Sequence, residues 1–93
     1  MMRKDIFEKT IEIVKNIMLE ASEEADFVKS LEINEDTHMF RDLGLDSIQI
    51  LMVITELEDL YEMEFPDEDM DMDYLLVMRN LVDAVIRGID NKE

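Results

Sequence analysis

The chain contains very few residues that interrupt a helix. Its 93 residues include two glycines and one proline, whereas a fold of many short strands needs frequent turn residues. Alternation of period two is nearly absent outside one acidic stretch, and hydrophobic residues make up 47% of the chain, enough for a packed core. The sequence therefore predicts an all-α fold with a single domain over residues 1–93.

Apolar residues recur at helical spacing in three long segments. These segments are residues 5–19, 47–62 and 76–89. The spacing in the first segment predicts an amphipathic helix with one buried row of side chains. The row consists of Phe7, Ile11, Val14 and Met18, with Ile6, Ile13 and Ile17 beside them. Gly88 lies where the last helix is expected to fray, and residues 67–75 are predicted as a loop with one short helix.

Residues 20–46 show no sustained hydrophobic period. Within them, residues 21–29 either continue the first helix or begin a new one, and the remainder is predicted as a long loop. Long loops in small domains are often functional. Scattered apolar side chains are expected to pin this loop to the core. They are Leu31, Ile33, Phe40, Leu43 and Leu45.

The segment LGLDSIQI, residues 43–50, leads into the second long helix. Gly44 supplies a backbone conformation that other residues disfavour. Asp46 is a good N-cap, and Gln49, three residues later, can complete a capping box. Ser47 then occupies the first helical position, either as an ordinary helix-start residue or, with its hydroxyl free, as an attachment point. Unpaired N–H groups and the helix dipole favour a phosphate there.

The helix from residue 47 carries more apolar side chains than one buried face needs. Its core face is expected to be formed by Ile50, Val53, Ile54, Leu57, Leu60 and Tyr61. Ile48, Leu51 and Met52 fall on or near the opposite side, together with Thr55 and Asp59. Either the long loop folds over these residues, or they form an exposed apolar patch that contacts a partner.

The chain is strongly acidic. Its net charge is −16, from 25 acidic and 9 basic residues, and residues 42–78 contain acids but no Lys or Arg. Such a surface opposes folding through self-repulsion, favours the docking of basic proteins, and repels nucleic acid and anionic membranes. No segment has the apolar length of a membrane span, so we expect a cytoplasmic monomer without membrane insertion.

The sequence offers no catalytic machinery and no specific metal site. It contains no cysteine, which excludes disulfides and any thiolate belonging to the protein itself. The sole histidine, His38, is expected to be structural or exposed, because no nucleophile elbow accompanies it. Acids alternate over residues 67–73 as in a calcium loop, but the positions that an EF-hand reserves for Gly and Glu hold other residues.

The stretch DLGLDSIQILMVITELEDLYEMEFPDEDM resembles the acyl carrier protein family, whose domains bind phosphopantetheine. The resemblance rests on the Asp-Ser pair after Leu-Gly, the helix that follows, and an acidic connection that contains Pro66. It extends to residues 31–43, which are similar to the family's long loop, and to residues 78–86, which are similar to its last helix. It implies a four-helix bundle with a short third helix and a long first loop.

The resemblance implies that Ser47 receives 4′-phosphopantetheine from coenzyme A through a phosphopantetheinyl transferase, also called holo-carrier synthase. The arm ends in a thiol that holds acyl or aminoacyl groups as thioesters, which suits a chain without cysteine. Asp46 is implied to help position the transferase's metal and coenzyme A, and Leu45 and Gly44 adjoin the attachment site. The resemblance further implies a carrier that is not itself an enzyme and that presents acyl cargo to enzymes of fatty acid, polyketide or related specialised biosynthesis.

In carriers of this family, the helix after the serine meets basic synthases, transferases and the enzymes that load acyl or aminoacyl groups. The matching positions are Ile48, Leu51, Met52, Thr55, Glu56 and Asp59. Gln49 and Met52 stand where fatty-acid carriers usually have acids, and Leu76 and Val77 where Ser or Thr usually begins the last helix, which indicates a specialised cargo.

Two alternatives to an acyl carrier stay open on the sequence. The first is an aminoacyl or peptidyl carrier of a nonribosomal-type pathway. The second, of another class, is an acidic helical adaptor or a divalent-ion-binding protein without covalent cargo.

Overall fold

The computed structural model describes residues 3–22, 24–65 and 71–91. These ranges hold five helices and no strand, which confirms the all-α prediction. The helices are α1 (Arg3–Ala21), α2 (Ala25–Ser30), α3 (Ser47–Tyr61), α4 (Met72–Leu75) and α5 (Met78–Asn91). Of residues 21–29, Ala21 ends α1 and a new helix, α2, begins at Ala25. The short helix expected within residues 67–75 is α4, and residues 67–70 lie outside the described ranges.

The core lies between α1, α3 and α5, which pack against one another. The buried row of α1 shares only Val14 with the predicted row, because α2, α3 and α5 contact this helix along a neighbouring stripe. That row is Ile6, Thr10, Val14 and Ile17, and Phe7, Ile11 and Met18 lie half-buried beside it. Thr10 is accommodated because its hydroxyl donates to the Ile6 carbonyl at 2.7 Å.

The long loop, residues 31–46, is pinned to the core as predicted, but not by every apolar side chain in it. Ile33, Met39 and Leu45 are buried, whereas Phe40 is 60% exposed and the prediction was wrong there. Backbone bonds fix the orientation of this turn, since the Met39 N–H donates to the Leu76 carbonyl at 2.8 Å. With Met39 held inward in this way, the adjacent Phe40 is directed outward.

The same loop also caps α5. The N–H groups of Met78 and Arg79 donate to the carbonyls of Thr37 and Glu35 at 3.0 and 2.9 Å, and a single antiparallel bridge joins His38 to Val77. These are N–H groups of the first helical turn, which has no preceding turn to accept from it. No Ser or Thr immediately precedes α5 to cap it with a side chain. The N–H groups of Met78 and Arg79 nevertheless have hydrogen-bond partners, because backbone carbonyls of the loop take the place of that cap.

One cation joins three parts of the chain. The Arg3 guanidinium donates to the carboxylates of Glu35 in the loop and Asp83 in α5. The hydrogen bond to Glu35 is the main cause of a raised pKa at Arg3; partial burial opposes the rise, and Asp83 adds to it. The start of α1, the loop and α5 are thereby fastened together at this end of the bundle.

Two expectations about helix faces are corrected. The last helix does not fray at Gly88 but continues to Asn91, and Gly88 is buried, with the Met63 side chain in the space that a Cβ would take. Leu60, expected in the core, is exposed because it borders an open groove between α3 and polar residues of α1.

The chain leaves α3 through a residue in the left-handed region. Glu62 has a φ of 50°, and the Met63 N–H donates to the Glu58 carbonyl at 3.1 Å. The Glu58 carboxylate in turn accepts from the Phe65 N–H at 3.1 Å. This cap directs Met63 and Phe65 into the core.

Replacing Glu62 by Gly is expected to raise the free energy of unfolding by about 0.5–1 kcal/mol, because glycine adopts a positive φ without the Cβ penalty. Urea unfolding would measure the change. Glu64→Gly is the matched control, since it removes the same charge at an exposed position without positive φ. Equal effects of the two substitutions would contradict the argument.

Candidate functional site

The approach to α3 is fixed by backbone hydrogen bonds. Gly44 has a φ of 73°, as its sequence position predicted, and its N–H donates to the Phe40 carbonyl at 3.0 Å. The Leu45 N–H donates to the Met39 carbonyl at 3.0 Å, and the Leu45 side chain is buried. Gly44 therefore turns the chain, and Leu45 anchors it immediately before the helix.

The helix begins with the predicted capping box. The Asp46 carboxylate accepts from the Gln49 N–H at 2.8 Å, and the Gln49 carboxamide oxygen accepts from the Asp46 N–H at 3.0 Å. Asp46 itself has extended backbone geometry, as an N-cap requires. The capping role thus belongs to Asp46, and the following serine is not needed for it.

Ser47 is the first residue of α3 and is exposed. Its hydroxyl makes no hydrogen bond to any residue within the described ranges. The N–H groups of Ser47 and Ile48 belong to the first turn, where no preceding turn supplies acceptors and the helix dipole is positive. An exposed hydroxyl in this position can be esterified, and the helix terminus favours a phosphate bound there.

The outward face of α3 is open to solvent. Ile48, Leu51 and Met52 are 72%, 55% and 39% exposed, so the long loop does not cover them and they form an exposed apolar patch. Its contact with a partner stays a prediction. Thr55, Glu56 and Asp59 are also exposed, and the Thr55 hydroxyl donates to the Leu51 carbonyl at 2.9 Å. We call these six residues the α3 outer face.

Only part of the acidity of α3 is available on this face. The Glu58 carboxylate is occupied by the Phe65 N–H, whereas Glu56 and Asp59 are exposed and make no side-chain hydrogen bond within the described ranges. The first turn of α3 contains no acid. The α3 outer face is consequently apolar near Ser47 and acidic further along the helix.

His38 has a structural role in the loop. Its Nδ1 accepts from the backbone N–H groups of Phe40 and Arg41 at 3.2 and 3.0 Å, and the His38 backbone N–H donates to the Asp42 carboxylate at 2.8 Å. The imidazole nitrogen thereby takes the place of a backbone acceptor in the turn that precedes Gly44. This agrees with the prediction that His38 is structural.

The described part of the acidic stretch contains a cap rather than a metal centre. Asp71 caps α4, because its carboxylate accepts from the Asp73 N–H at 3.0 Å. Within residues 3–22, 24–65 and 71–91, no group of three or more potential ligands is placed to hold a metal ion. Asp67 and Asp69, which belong to the same alternation, lie outside those ranges.

A family model described as the phosphopantetheine attachment site matches residues 15–85. The match runs from the second half of α1 to α5 and includes the start of α3. The chain belongs to this family. It is therefore a phosphopantetheine-bearing carrier protein, and the cofactor of such a domain is 4′-phosphopantetheine.

The carrier domain differs from the expected four-helix bundle by one element. The six-residue helix α2 precedes the long loop and packs against α1. The sequence left open whether these residues continue α1. Only one side chain of α2, Val28, is buried, so the segment has no repeated apolar spacing that would mark it as a separate helix. Throughout the described ranges, every helix is too short or too polar to cross a bilayer.

Replacing Asp46 by Ala is expected to lower the free energy of unfolding by about 1 kcal/mol, because it removes the carboxylate that accepts from the Gln49 N–H, while the backbone N–H of residue 46 stays in place. Asp59→Ala is the matched control: it removes the same charge from an exposed position of the same helix. Thermal or urea unfolding gives the comparison, and equal losses would show that charge rather than capping is responsible.

Proposed function

We propose that Ser47 is the residue to which 4′-phosphopantetheine is attached. The observation that carries this proposal is the exposed hydroxyl of Ser47, without a hydrogen-bond partner in the described chain, at the positive end of α3. A phosphodiester at this atom would face outward, and the cofactor would supply the thiol that the cysteine-free chain lacks.

The other serines fit this role less well. The chain contains Ser22, Ser30 and Ser47, and all three lie within the residues matched by the family model. The Ser22 hydroxyl accepts from the Glu24 N–H at 3.0 Å, and the Ser30 hydroxyl donates to the Phe27 carbonyl at 2.9 Å. Ser30 also ends a helix, where the dipole disfavours an added anion.

We infer that the carrier holds acyl groups as thioesters and passes them between enzymes of fatty acid, polyketide or related specialised biosynthesis. Its own residues contribute attachment and recognition, and the partner enzymes contribute catalysis. Gly44 and Leu45 set the position of the attachment residue, and Asp46 both caps the helix and borders the serine that the transferase must reach. A monomer acting in the cytoplasm is consistent with the strongly acidic surface.

We further infer that the α3 outer face is the docking surface for the phosphopantetheinyl transferase, the loading enzyme and basic synthases or transferases. Its apolar part lies next to Ser47, and its acids, Glu56 and Asp59, follow along the helix. An apolar centre with a charged margin favours partners that place an apolar contact near the serine and basic residues beyond it. The apolar first turn supports partners of a specialised rather than a general pathway.

Incubation with coenzyme A and a broad-specificity phosphopantetheinyl transferase is expected to add one phosphopantetheine to the chain, measured as intact mass. Ser47→Ala should abolish the gain, while Ser30→Ala should retain it. Unchanged unfolding curves for both variants serve as the control for folding. No gain in the unsubstituted chain, or a gain that survives Ser47→Ala, would overturn the proposal.

Leu51→Ala is expected to raise the transferase's KM for the apo-carrier about tenfold, because truncating a central apolar contact costs roughly 1–2 kcal/mol. Leu60→Ala is the matched control, since Leu60 is similarly exposed on α3 but lies outside the α3 outer face. Measuring KM at two salt concentrations would also test the contribution of the acids, because salt screens their attraction to a basic partner and raises KM. Equal KM values for the two variants would exclude this face.

A further inference from the structure

A groove lies beside the start of α3, between the end of α1, helix α2 and the loop before α3. Its volume is about 350 Å³, within the range typical of small-molecule sites. Its lining includes both apolar and polar side chains. Among them are Met18, Phe27, Leu43, Ser22, Glu24 and Gln49. We call it the α1–α2 groove.

Residues on both sides of Ser47 in the sequence line the α1–α2 groove. Gly44, Leu45 and Gln49 all contribute to its wall, and each lies within three residues of Ser47. Two of these residues are fixed in place, Leu45 by its hydrogen bond to Met39 and Gln49 by the capping box. The groove is therefore a stable feature next to the serine rather than the product of a loose side chain.

Helix α2 gives this groove an exposed aromatic side chain. Phe27 is 58% exposed, while its neighbour Val28 is buried and holds the helix against α1. An exposed phenyl ring on the wall of a groove leaves apolar area available for a ligand. The groove thus combines an apolar contact with hydrogen-bonding groups.

This combination matches the middle of a pantetheine arm better than a hydrocarbon chain. The arm carries two amides separated by short methylene segments and a dimethyl-substituted carbon. In the capping box Gln49 uses its carboxamide oxygen, so its NH₂ group can donate to an amide carbonyl. The Glu24 carboxylate can accept from an amide N–H, while Phe27 and Met18 offer apolar contacts.

We propose that the α1–α2 groove receives the amide-bearing part of the arm attached to Ser47, with Phe27 as its main apolar contact. The inference rests on the proposed attachment at Ser47. It assigns a role to α2, the element by which this chain departs from the expected four-helix bundle. Docking in the groove holds the terminal thiol near the protein when no partner enzyme is bound.

A second groove offers an internal comparison. It has a volume of about 450 Å³ and lies between α1 and the far half of α3, lined by Lys9, Glu12, Glu56 and Asp59 among others. Glu56 is nine residues beyond Ser47, or about 14 Å along the helix axis. Its lining is mainly charged, so it suits the uncharged arm poorly and serves as the control region.

The test is a comparison of the apo- and holo-proteins, without acyl cargo, by NMR spectroscopy. Attachment is expected to shift signals of the groove residues Ala21, Val28 and Leu43, in addition to those next to Ser47, and to leave Ile13 and Asn16 of the second groove unchanged. Intact mass first confirms attachment. Failure to gain mass would refute the proposed function itself, whereas attachment without shifts in the α1–α2 groove would refute only this inference.

Substitution of Phe27 supplies a second readout. Phe27→Ala should reduce the groove shifts and raise the rate at which the holo-protein's thiol is alkylated, about twofold if the arm is docked half of the time. Phe40→Ala is the matched control, because Phe40 has similar exposure, 60%, and does not line the groove. Equal effects of the two substitutions would overturn the proposal, as would groove shifts that arise only after the thiol is acylated.

Discussion

The position of Ser47 depends on a backbone pairing formed in the middle of the long loop, at residues 35–39. The loop donates from Met39 to Leu76 and accepts from Met78 and Arg79, so it satisfies the start of α5 while being fixed by it. Met39 then accepts from Leu45, which is buried immediately before the cap of α3. A single run of hydrogen bonds therefore connects the start of α5 with the start of α3. A loop attached only by its side chains would leave the serine free to move relative to the bundle.

Helix α3 is divided between two tasks that need different surfaces. Its inner face fills the core with Ile50, Val53, Ile54 and Leu57, and its outer face keeps apolar side chains in water. Leaving Ile48 and Leu51 exposed gives up the stability that their burial would contribute. These exposed side chains adjoin Ser47, the proposed attachment residue, and the proposed docking of partners there would offset that loss.

The sequence predicted those features that are determined by neighbouring residues. The capping box follows from Asp46 and Gln49 at the correct separation, and the positive φ of Gly44 follows from the side chain that it lacks. Features that depend on distant segments were not predictable in the same way. The burial of Met39 rather than Phe40 follows from a pairing with Leu76, and the buried position of Gly88 from contact with Met63.

In the candidate site, too, the features set by neighbouring residues were predictable and those set by distant segments were not. The exposure of Ser47 could be inferred because Asp46 already fills the capping role, and the family resemblance added the cofactor. The open state of the α3 outer face was one of two alternatives, since the period of α3 alone cannot show where the long loop runs. Helix α2 was the weakest part of the pattern, because in so short a helix only Val28 is buried.

The distribution of ion pairs has a consequence for the solution around the protein. In the described ranges, the paired cations Arg3, Lys9 and Arg79 bind carboxylates of α1, the loop and α5, and none binds a carboxylate of α3. The exposed carboxylates of Glu56 and Asp59 attract small cations from the buffer, in addition to the charge of Lys9 in the same groove. A basic partner that docks there would release these ions, and the entropy of their release would contribute to the affinity. Raising the ionic strength is therefore expected to stabilise the isolated protein, because its acids repel one another less, and to lower its affinity for basic partners.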